Sequence, residues 1–350
     1  MSQGRIHPVE PAWLLACAFH PRRAEATLLA GIDIGGTKTA FALADDTGGG
    51  TAAAIAARAR RPTQPSGDAE TDLRRMAEDL RQLLAKHGSS PRDLAVVGVS
   101  VAGPLDVDLG VVLRPPNLPH WDRAPVRELL EAELGCPVQL DNDANAAALA
   151  EWHYGAGQGT QHMVYLTMST GVGGGLILGG RIHRGVACSA GEVGHIPIEW
   201  EGDLCHCGMR GCLEAYIGGA AWAERLAQIT PASSRVALLA GPDGSPRPEH
   251  VVLAAREGDA FALSEMARFN DYLARGIVHL AFTLAPECVV LGTIVTAAGE
   301  DLCLGPVREQ VRARTWPAVG DPLRIEASAL GEDLPYLAGL AVAHEMRRQS

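Results

Sequence analysis

Apolar residues recur along this chain in short runs, and the spacing within them is of two kinds. Leu28 to Ile34 is almost continuously apolar, with one charge, Asp33, near its end, which predicts a buried strand over 28–34. Gly35-Gly36 turns the chain into a second run over 38–44, and Gly48-Gly49-Gly50 precedes a third strand over 51–58, weakened by its alanines. The period then changes. Leu73, Met76, Leu80, Leu83 and Leu84 recur at helical spacing, so one face of a helix over 68–87 is apolar, with Gly88 to close it. Further runs predict a strand over 94–101, a paired segment over 106–113, a short helix over 125–134 ended by Gly135, a strand over 138–140 and an alanine-rich helix over 143–154.

The same order begins again at Met163. A strand over 163–168 leads into a glycine-rich turn over 171–175 and another strand over 176–178. Residues 192–219 show no period, and 231–248 is rich in Pro, Gly and Ser, which reads as a loop or mobile insert. Helices are expected over 259–284, 300–314 and 334–348, with a buried strand over 288–291. Two strand-rich halves, each opening on a glycine turn, predict a two-domain α/β protein with a cleft between the halves. The expected division is an N-terminal α/β domain over 28–141 and a larger C-terminal one over 142–350, the last helix being free to pack back on the first domain. Residues 1–27 precede the first core strand and are expected to form a poorly ordered extension. The apolar run from Trp13 to Phe19 is not expected to be a signal peptide. Glu10 stands before it, and His20-Pro21-Arg22-Arg23 separates it from Ala24-Glu25-Ala26.

Composition narrows the picture. A chain of 350 residues fits two domains better than one core. With 47% hydrophobic and 20% charged residues it is not a disordered chain, and no stretch reaches the roughly 18 apolar residues that span a bilayer. Thirty basic against 41 acidic residues give a net charge of −11, so neither nucleic acid nor a membrane is an expected partner. Of the eight cysteines, Cys17, Cys136, Cys188, Cys288 and Cys303 are scattered among apolar neighbours and read as core residues. Cys205, Cys207 and Cys212 cluster instead, which points to a metal site in a reducing, cytoplasmic compartment.

Four constellations carry candidate chemistry. In Gly31-Ile32-Asp33-Ile34-Gly35-Gly36-Thr37-Lys38, two glycines let backbone N–H groups approach a phosphate, Thr37 adds a hydroxyl, and Asp33 at the strand end can hold hydrated Mg²⁺; a plain hairpin turn is the simpler alternative. Ser169-Thr170-Gly171-Val172-Gly173-Gly174-Gly175 is a second candidate cradle. Asp141-Asn142-Asp143-Ala144-Asn145 opens a helix, where Asp and Asn serve as caps, yet it holds more polar groups than capping needs. A carboxylate there stays ionised beside the helix N-terminus and suits a general base. Finally, His195, Cys205, Cys207 and Cys212 supply four N/S ligands, the closed set of a structural zinc site, with His206 as a rival ligand and Glu192 and Glu214 alongside.

Read together, Asp33-Ile34-Gly35-Gly36-Thr37, Asn117-Leu118-Pro119-His120-Trp121, Asn142-Asp143-Ala144-Asn145-Ala146-Ala147, Gly171-Val172-Gly173-Gly174-Gly175, Gly191-Glu192-Val193-Gly194-His195 and Cys205-His206-Cys207-Gly208-Met209-Arg210-Gly211-Cys212-Leu213-Glu214 resemble the ROK family of repressors, open reading frames and sugar kinases. The resemblance implies an actin-like ATPase (ribonuclease H-like) fold in which ATP and sugar meet in the interdomain cleft. It implies that Asp143 is the catalytic base, and that Asn142, Glu192, His195, Glu214 and the backbone of Gly103 hold the sugar. ATP and Mg²⁺ would lie against Asp33, Gly35, Gly36, Thr37, Lys38, Thr170, Gly171, Gly173, Gly174 and Gly292. His195 would serve twice, with one ring nitrogen on zinc and the other on a sugar hydroxyl. The implied reaction is ATP-dependent phosphorylation of a hexose at its 6-hydroxyl, glucose first, with N-acetylmannosamine, N-acetylglucosamine or an aminoglucose as alternatives, in a homodimer or homotetramer. A repressor of the family would carry a winged helix before Asp33; only 32 residues stand there, so that reading is disfavoured. One stretch departs from the pattern. Where the family often has Gly-Gly near the adenosine, this chain has Gly292-Thr293-Ile294, which puts a side chain where backbone normally approaches the nucleotide.

Overall fold

The computed structural model describes residues 27–46, 55–115, 117–242 and 244–349. The extension before Thr27 and the start of the strand expected over 51–58 lie outside the described residues. In chain order the first half holds β1 (Leu28–Ile34), β2 (Lys38–Asp45), β3 (Ile55–Pro62), α1 (Ala69–His87), β4 (Leu94–Val101), β5 (Leu105–Asp106), β6 (Val111–Val112), α2 (Val126–Leu134), β7 (Val138–Asn142) and α3 (Asp143–Tyr154). The second half holds β8 (Met163–Met168), β9 (Val172–Ile177), α4 (Glu214–Ile217), α5 (Gly219–Ile229), α6 (Arg235–Ala240), α7 (Pro248–Arg256), α8 (Ala260–Leu284), β10 (Cys288–Leu291), α9 (Ile294–Gly299), α10 (Gly305–Arg314), α11 (Pro317–Gly320), β11 (Arg324–Ala327) and α12 (Leu334–Gln349).

The strands form two principal sheets, in the order β3-β2-β1-β4-β7 and β11-β10-β8-β9. The halves repeat one plan. β1 pairs antiparallel with β2 and parallel with β4, and β8 pairs antiparallel with β9 and parallel with β10. Side chains alternate along each central strand, as the pleat requires. Leu28, Ala30, Ile32 and Ile34 join the core made with α1 and α2, whereas Leu29 faces the other way, into a core with α3 and α12. Likewise Val164, Leu166 and Met168 face α7, α8 and α10, while Met163 and Tyr165 face α3. The layers are therefore helices, sheet, the α12–α3 pair, sheet, helices. Small residues let the middle layer close. A Cβ at Gly98 would run into Gly339 O, and one at Gly31 into Leu340 N, so α12 lies backbone to backbone on β1 and β4.

Three expectations are corrected. Residues 231–248 are not a loop throughout. Ser234 caps α6 by accepting from Ala237 N, and Pro248 opens α7; the Pro- and Gly-rich flanks hid a helix too short to show a period. The run over 171–175 is not a turn beyond Gly171, because the strand β9 already begins at Val172. The helix expected over 300–314 starts with a π-turn at Glu300–Leu304 before α10. β11 went unread because Arg324 and Glu326 give it no apolar run; its place at the edge of the sheet explains why charge is tolerated there.

Candidate active site

The candidate residues gather at the C-terminal ends of parallel strands, where open α/β sheets leave backbone groups free for ligands. Asp33 ends β1, Gly103 follows β4, Asn142 and Asp143 stand where β7 passes into α3, Thr170 and Gly171 follow β8, and Gly292 follows β10.

Asp33 is half-buried and accepts a hydrogen bond from Ser100 Oγ on β4 at 2.6 Å. Burial pushes its carboxyl up to about 6, the Ser100 bond opposes that, and the charge of Asp143 adds to it. Asp143 is the first residue of α3, and Asn142 caps the helix by accepting from Asn145 N at 2.6 Å. Asp143 exposes its side chain to the cleft, yet the protein around the cleft disfavours its charge and raises its carboxyl above the ordinary range, against a backbone hydrogen bond from Ala144. Among the described residues neither carboxylate has an ion-pair partner within 4.0 Å. Two carboxylates that repel each other and lack a cation are a donor set suited to Mg²⁺. The neighbouring Asp141 is different. Fully buried, it is paired with Arg184 Nη2 at 2.7 Å and accepts from Asn145 Nδ2 at 2.8 Å, so it ties β7, α3 and the segment after β9 together.

The first glycine turn is short. Gly35 N–H closes it on Lys38 O at 3.1 Å, which leaves Gly36 and Thr37 as its candidate phosphate donors. Thr37 and Lys38 are exposed, and Gly36 lies against the side chain of Asn117, so the Asn117–Trp121 segment borders the turn. The second glycine run behaves otherwise. A Cβ at Gly174 would meet Val193 Cγ2 at 2.6 Å and Gly191 O at 2.9 Å, and one at Gly175 would strike Ala148 Cβ. Those glycines serve packing against α3 and the loop carrying Glu192. Gly173 stands tight against Ala144, next to Asp143. Only Ser169 and Thr170 form an exposed turn, and a Cβ at Gly171 would already collide with Glu214 Oε2. Gly292 packs on Tyr165, and Thr293 holds φ 51°, a left-handed backbone that β-branched residues rarely adopt. Its hydroxyl lies 2.9 Å from Thr167 Oγ1 and accepts from Met168 N at 3.2 Å. The side chain thus turns toward β8, which compensates the strain.

The four metal-ligand candidates converge. One ligand atom from each of His195, Cys205, Cys207 and Cys212 lies within 4.8 Å of all the others. Cys207 Sγ and Cys212 Sγ are 3.7 Å apart, and Cys205 Sγ and His195 Nδ1 are 3.8 Å apart. Zn–S bonds of about 2.3 Å at tetrahedral angles would separate two sulfurs by about 3.8 Å, so the donor set fits zinc. The loop is built for this closeness: Gly208 and Gly211 have φ of 90° and 73°, and a Cβ at Gly211 would collide with Glu199 O. Burial pushes the Cys205 thiol up to about 12. His206 is exposed and points to Glu224, outside the cluster. Glu214 links the loop to the second turn, accepting from Val172 N at 2.8 Å with its other oxygen 3.6 Å from Cys205 Sγ. Glu192 is exposed and Gly103 has room for a Cβ, so neither is fixed by contacts as Glu214 is.

Ser100 and Arg184 were not among the residues singled out from sequence. Ser100 is a hydroxyl inside an otherwise apolar strand, which is a usable signal, but Arg184 gives none in its own neighbourhood.

Comparison with known proteins places this geometry. The model of the ROK family matches residues 29–345. A glucokinase from Thermotoga maritima is 35% identical over 319 residues, which cover 91% of this chain and 97% of that protein. The crystal structure of a ROK hexokinase from Thermus thermophilus superposes with a TM-score of 0.78 at 31% identity, covering 92% of this chain and all of that one. A ROK glucokinase from Streptomyces griseus, solved in complex with glucose and AMPPNP, gives a TM-score of 0.70 at 32% identity over 92% of this chain and all of that one. The fold is thus the actin-like ATPase fold shared with these neighbours.

Proposed function

Because the chain belongs to the ROK family, we propose that it is an ATP-dependent sugar kinase that phosphorylates a hexose, glucose first, at its 6-hydroxyl. The cleft lies between an N-terminal domain of 28–141 and a C-terminal domain of 142–350, with α12 returning to the first. The observation that carries the reading is the position of Asp143. It heads α3 directly after β7, shares its field with Asp33 two strands away in the same sheet, and carries a carboxyl that burial raises above its ordinary range. A carboxylate whose charged form is disfavoured by burial accepts a proton more readily than a solvated one.

In this reading Asp143 takes the proton of the sugar 6-hydroxyl as that oxygen attacks the γ-phosphorus in line. The bond from that phosphorus to the bridging oxygen breaks, and ADP leaves. Backbone N–H groups of Gly36, Thr37 and Gly171 receive charge on the transferring oxygens. Asp33, oriented by Ser100, would hold Mg²⁺, which neutralises phosphate charge. Asn142, Glu192, His195, Glu214 and the backbone of Gly103 orient the sugar, and Gly292 borders the adenosine. Gly35, Gly173 and Gly174 support the cradle through turn closure and packing. Zinc held by His195, Cys205, Cys207 and Cys212 is structural, since four protein ligands leave no open position. An N-acetylated or amino hexose is the alternative substrate. The enzyme acts in the cytoplasm as a homodimer or homotetramer; the family resemblance supports that part.

A coupled ADP-release assay tests the reading, with a panel of hexoses and amino sugars and with ATP, GTP and polyphosphate as donors. Turnover with glucose and ATP is expected. Turnover with an amino sugar alone would move the substrate to the alternative, and none with any sugar would refute a kinase.

A further inference from the structure

The chain crosses between the two sheets twice. It leaves the first sheet at Asn142 and Asp143, directly into α3, and it leaves the second sheet after Ala327 to reach α12. We propose that Glu151 is a positioning residue that clamps the return crossing to the helix carrying Asp143, so that the hinge on which the cleft opens and closes is confined to Gly331 and Glu332. The proposal rests on the kinase reading for what the cleft holds, not for the clamp itself.

The clamp is unusual in its chemistry. Glu151 lies in the last turn of α3 and is fully buried. Such a carboxylate is costly unless its oxygens are satisfied. Glu151 draws its partners from two segments. Ala156 N, just beyond α3, donates at 2.9 Å. Ser328 Oγ donates at 2.5 Å, and Ala329 N and Leu330 N donate at 3.3 Å each, all from the return crossing. None of these donors is a cation. The backbone is shaped around the group as well, because a Cβ at Gly155 would collide with Glu151 Oε2. Hydrogen bonds to a charged acceptor hold more strongly than neutral ones, so Ser328–Leu330 moves with α3.

The far side of the crossing is fixed to the other body. α12 lies backbone to backbone on β1 and β4 through Gly31, Gly98 and Gly339. Asp333, one residue before α12, pairs with Arg58 of β3 at 2.5 Å. Between Leu330 and the Asp333 anchor stand Gly331 and Glu332. Gly331 has φ 50° and nothing within 4 Å of where a Cβ would be, so no packing constrains it. A few unconstrained residues between two rigid anchors are what a hinge requires. Eight residues of helix separate Glu151 from Asp143, about 12 Å at 1.5 Å per residue, and Asp143 follows β7 directly, so a slack clamp would let the base drift relative to Thr170 and Gly171 of the second sheet.

Hydrogen exchange resolved to single amides tests this, on the full-length protein with and without glucose plus a non-hydrolysable ATP analogue. In the wild type, Ala329 and Leu330 should stay protected in both states, while Gly331 and Glu332 change protection when the ligands bind. In Glu151→Gln, whose amide presents N–H to N–H, Ala329 and Leu330 should exchange about tenfold faster or more, and kcat should fall about tenfold with the glucose KM changed less than about threefold. Ser328→Ala should move the same quantities less, and it decides the matter if Glu151→Gln does not fold. The proposal is overturned if Ala329 and Leu330 keep wild-type protection in the variants, or if bound ligands leave Gly331 and Glu332 unchanged. If calorimetry shows that the wild type binds no glucose, the kinase reading fails separately, and exchange in the ligand-free proteins still decides the clamp.

Discussion

The two glycine-rich segments look alike in sequence and do opposite work. Gly35 and Gly36 make a tight turn whose outer face is open, with Thr37 and Lys38 exposed beside it. Gly173, Gly174 and Gly175 are strand residues that let β9 close on α3 and on the Glu192 loop. Glycine marks close approach in both places: at Gly174 and Gly175 the neighbours are the Glu192 loop and α3, and at Gly36 the neighbour is the exposed Asn117 side chain, beside the proposed phosphate site. The lesson is that a glycine run after a strand identifies a crowded place, and only its surroundings say what crowds it. Substitutions at the first segment should therefore appear in kinetics and those at the second in stability.

The largest effect is expected at Asp143, beside the point where Gly173 of the second segment packs on Ala144. Asp143→Asn should lower kcat by about 10²–10⁴ with glucose binding, measured by calorimetry, largely retained. A variant that kept more than about a tenth of wild-type kcat would remove Asp143 from the role of base. Next comes the support of the second segment. Cys207→Ser should abolish stoichiometric zinc, measured by emission spectrometry, and raise the sugar KM about tenfold, with a smaller rise for ATP, because Glu214 joins the zinc loop to the turn at Val172. Equal rises would mean that the loop supports the whole cleft.

The comparison itself is tested by a pair of alanines. Gly175→Ala should cost about 1–3 kcal/mol in urea unfolding through collision with Ala148, with KM values near wild type. Gly36→Ala should instead raise the ATP KM several-fold, and since its Cβ displaces only the exposed Asn117 side chain its stability cost should be smaller than that of Gly175→Ala. The effect confined to one pH range concerns Asp33. Its folded carboxyl sits at about 6 against an ordinary 3.8, so the folded state holds that proton more tightly. This contribution to stability is present below about pH 4 and is lost as pH rises toward 6. Asp33→Asn removes the dependence and should be more stable than wild type above pH 6, by about 1–3 kcal/mol, and not at pH 4, although activity falls. Urea unfolding at the two pH values without added Mg²⁺ measures it.

How much of this was legible in the sequence varied with the kind of interaction. The main strands and α1, α3, α8 and α12 were readable because each carries a full apolar face: Leu73, Met76, Leu80 and Leu84 all bury against the first sheet's core. The convergence of His195, Cys205, Cys207 and Cys212 was readable because the three cysteines lie close in sequence and the glycines between them permit the bends. What could not be read depended on partners distant along the chain. Arg184 pairs with Asp141, 43 residues away, and Ser328 with Glu151, 177 residues away, contacts that exist only in the folded chain. Gly174 could not be separated from a phosphate loop because its reason, Gly191 O, lies in another segment. Thr293 read as a departure at the nucleotide, whereas its hydroxyl turns to Thr167 and Met168 on β8.

The central claim is phosphoryl transfer to the hexose 6-hydroxyl with Asp143 as base. Phosphorus NMR of the wild-type protein with glucose, ATP and Mg²⁺ observes it directly. The account predicts a phosphomonoester on C6 growing in step with ADP, and none above background for Asp143→Asn. Release of ADP and inorganic phosphate without a sugar phosphate, or a phosphoester at another carbon, would contradict it.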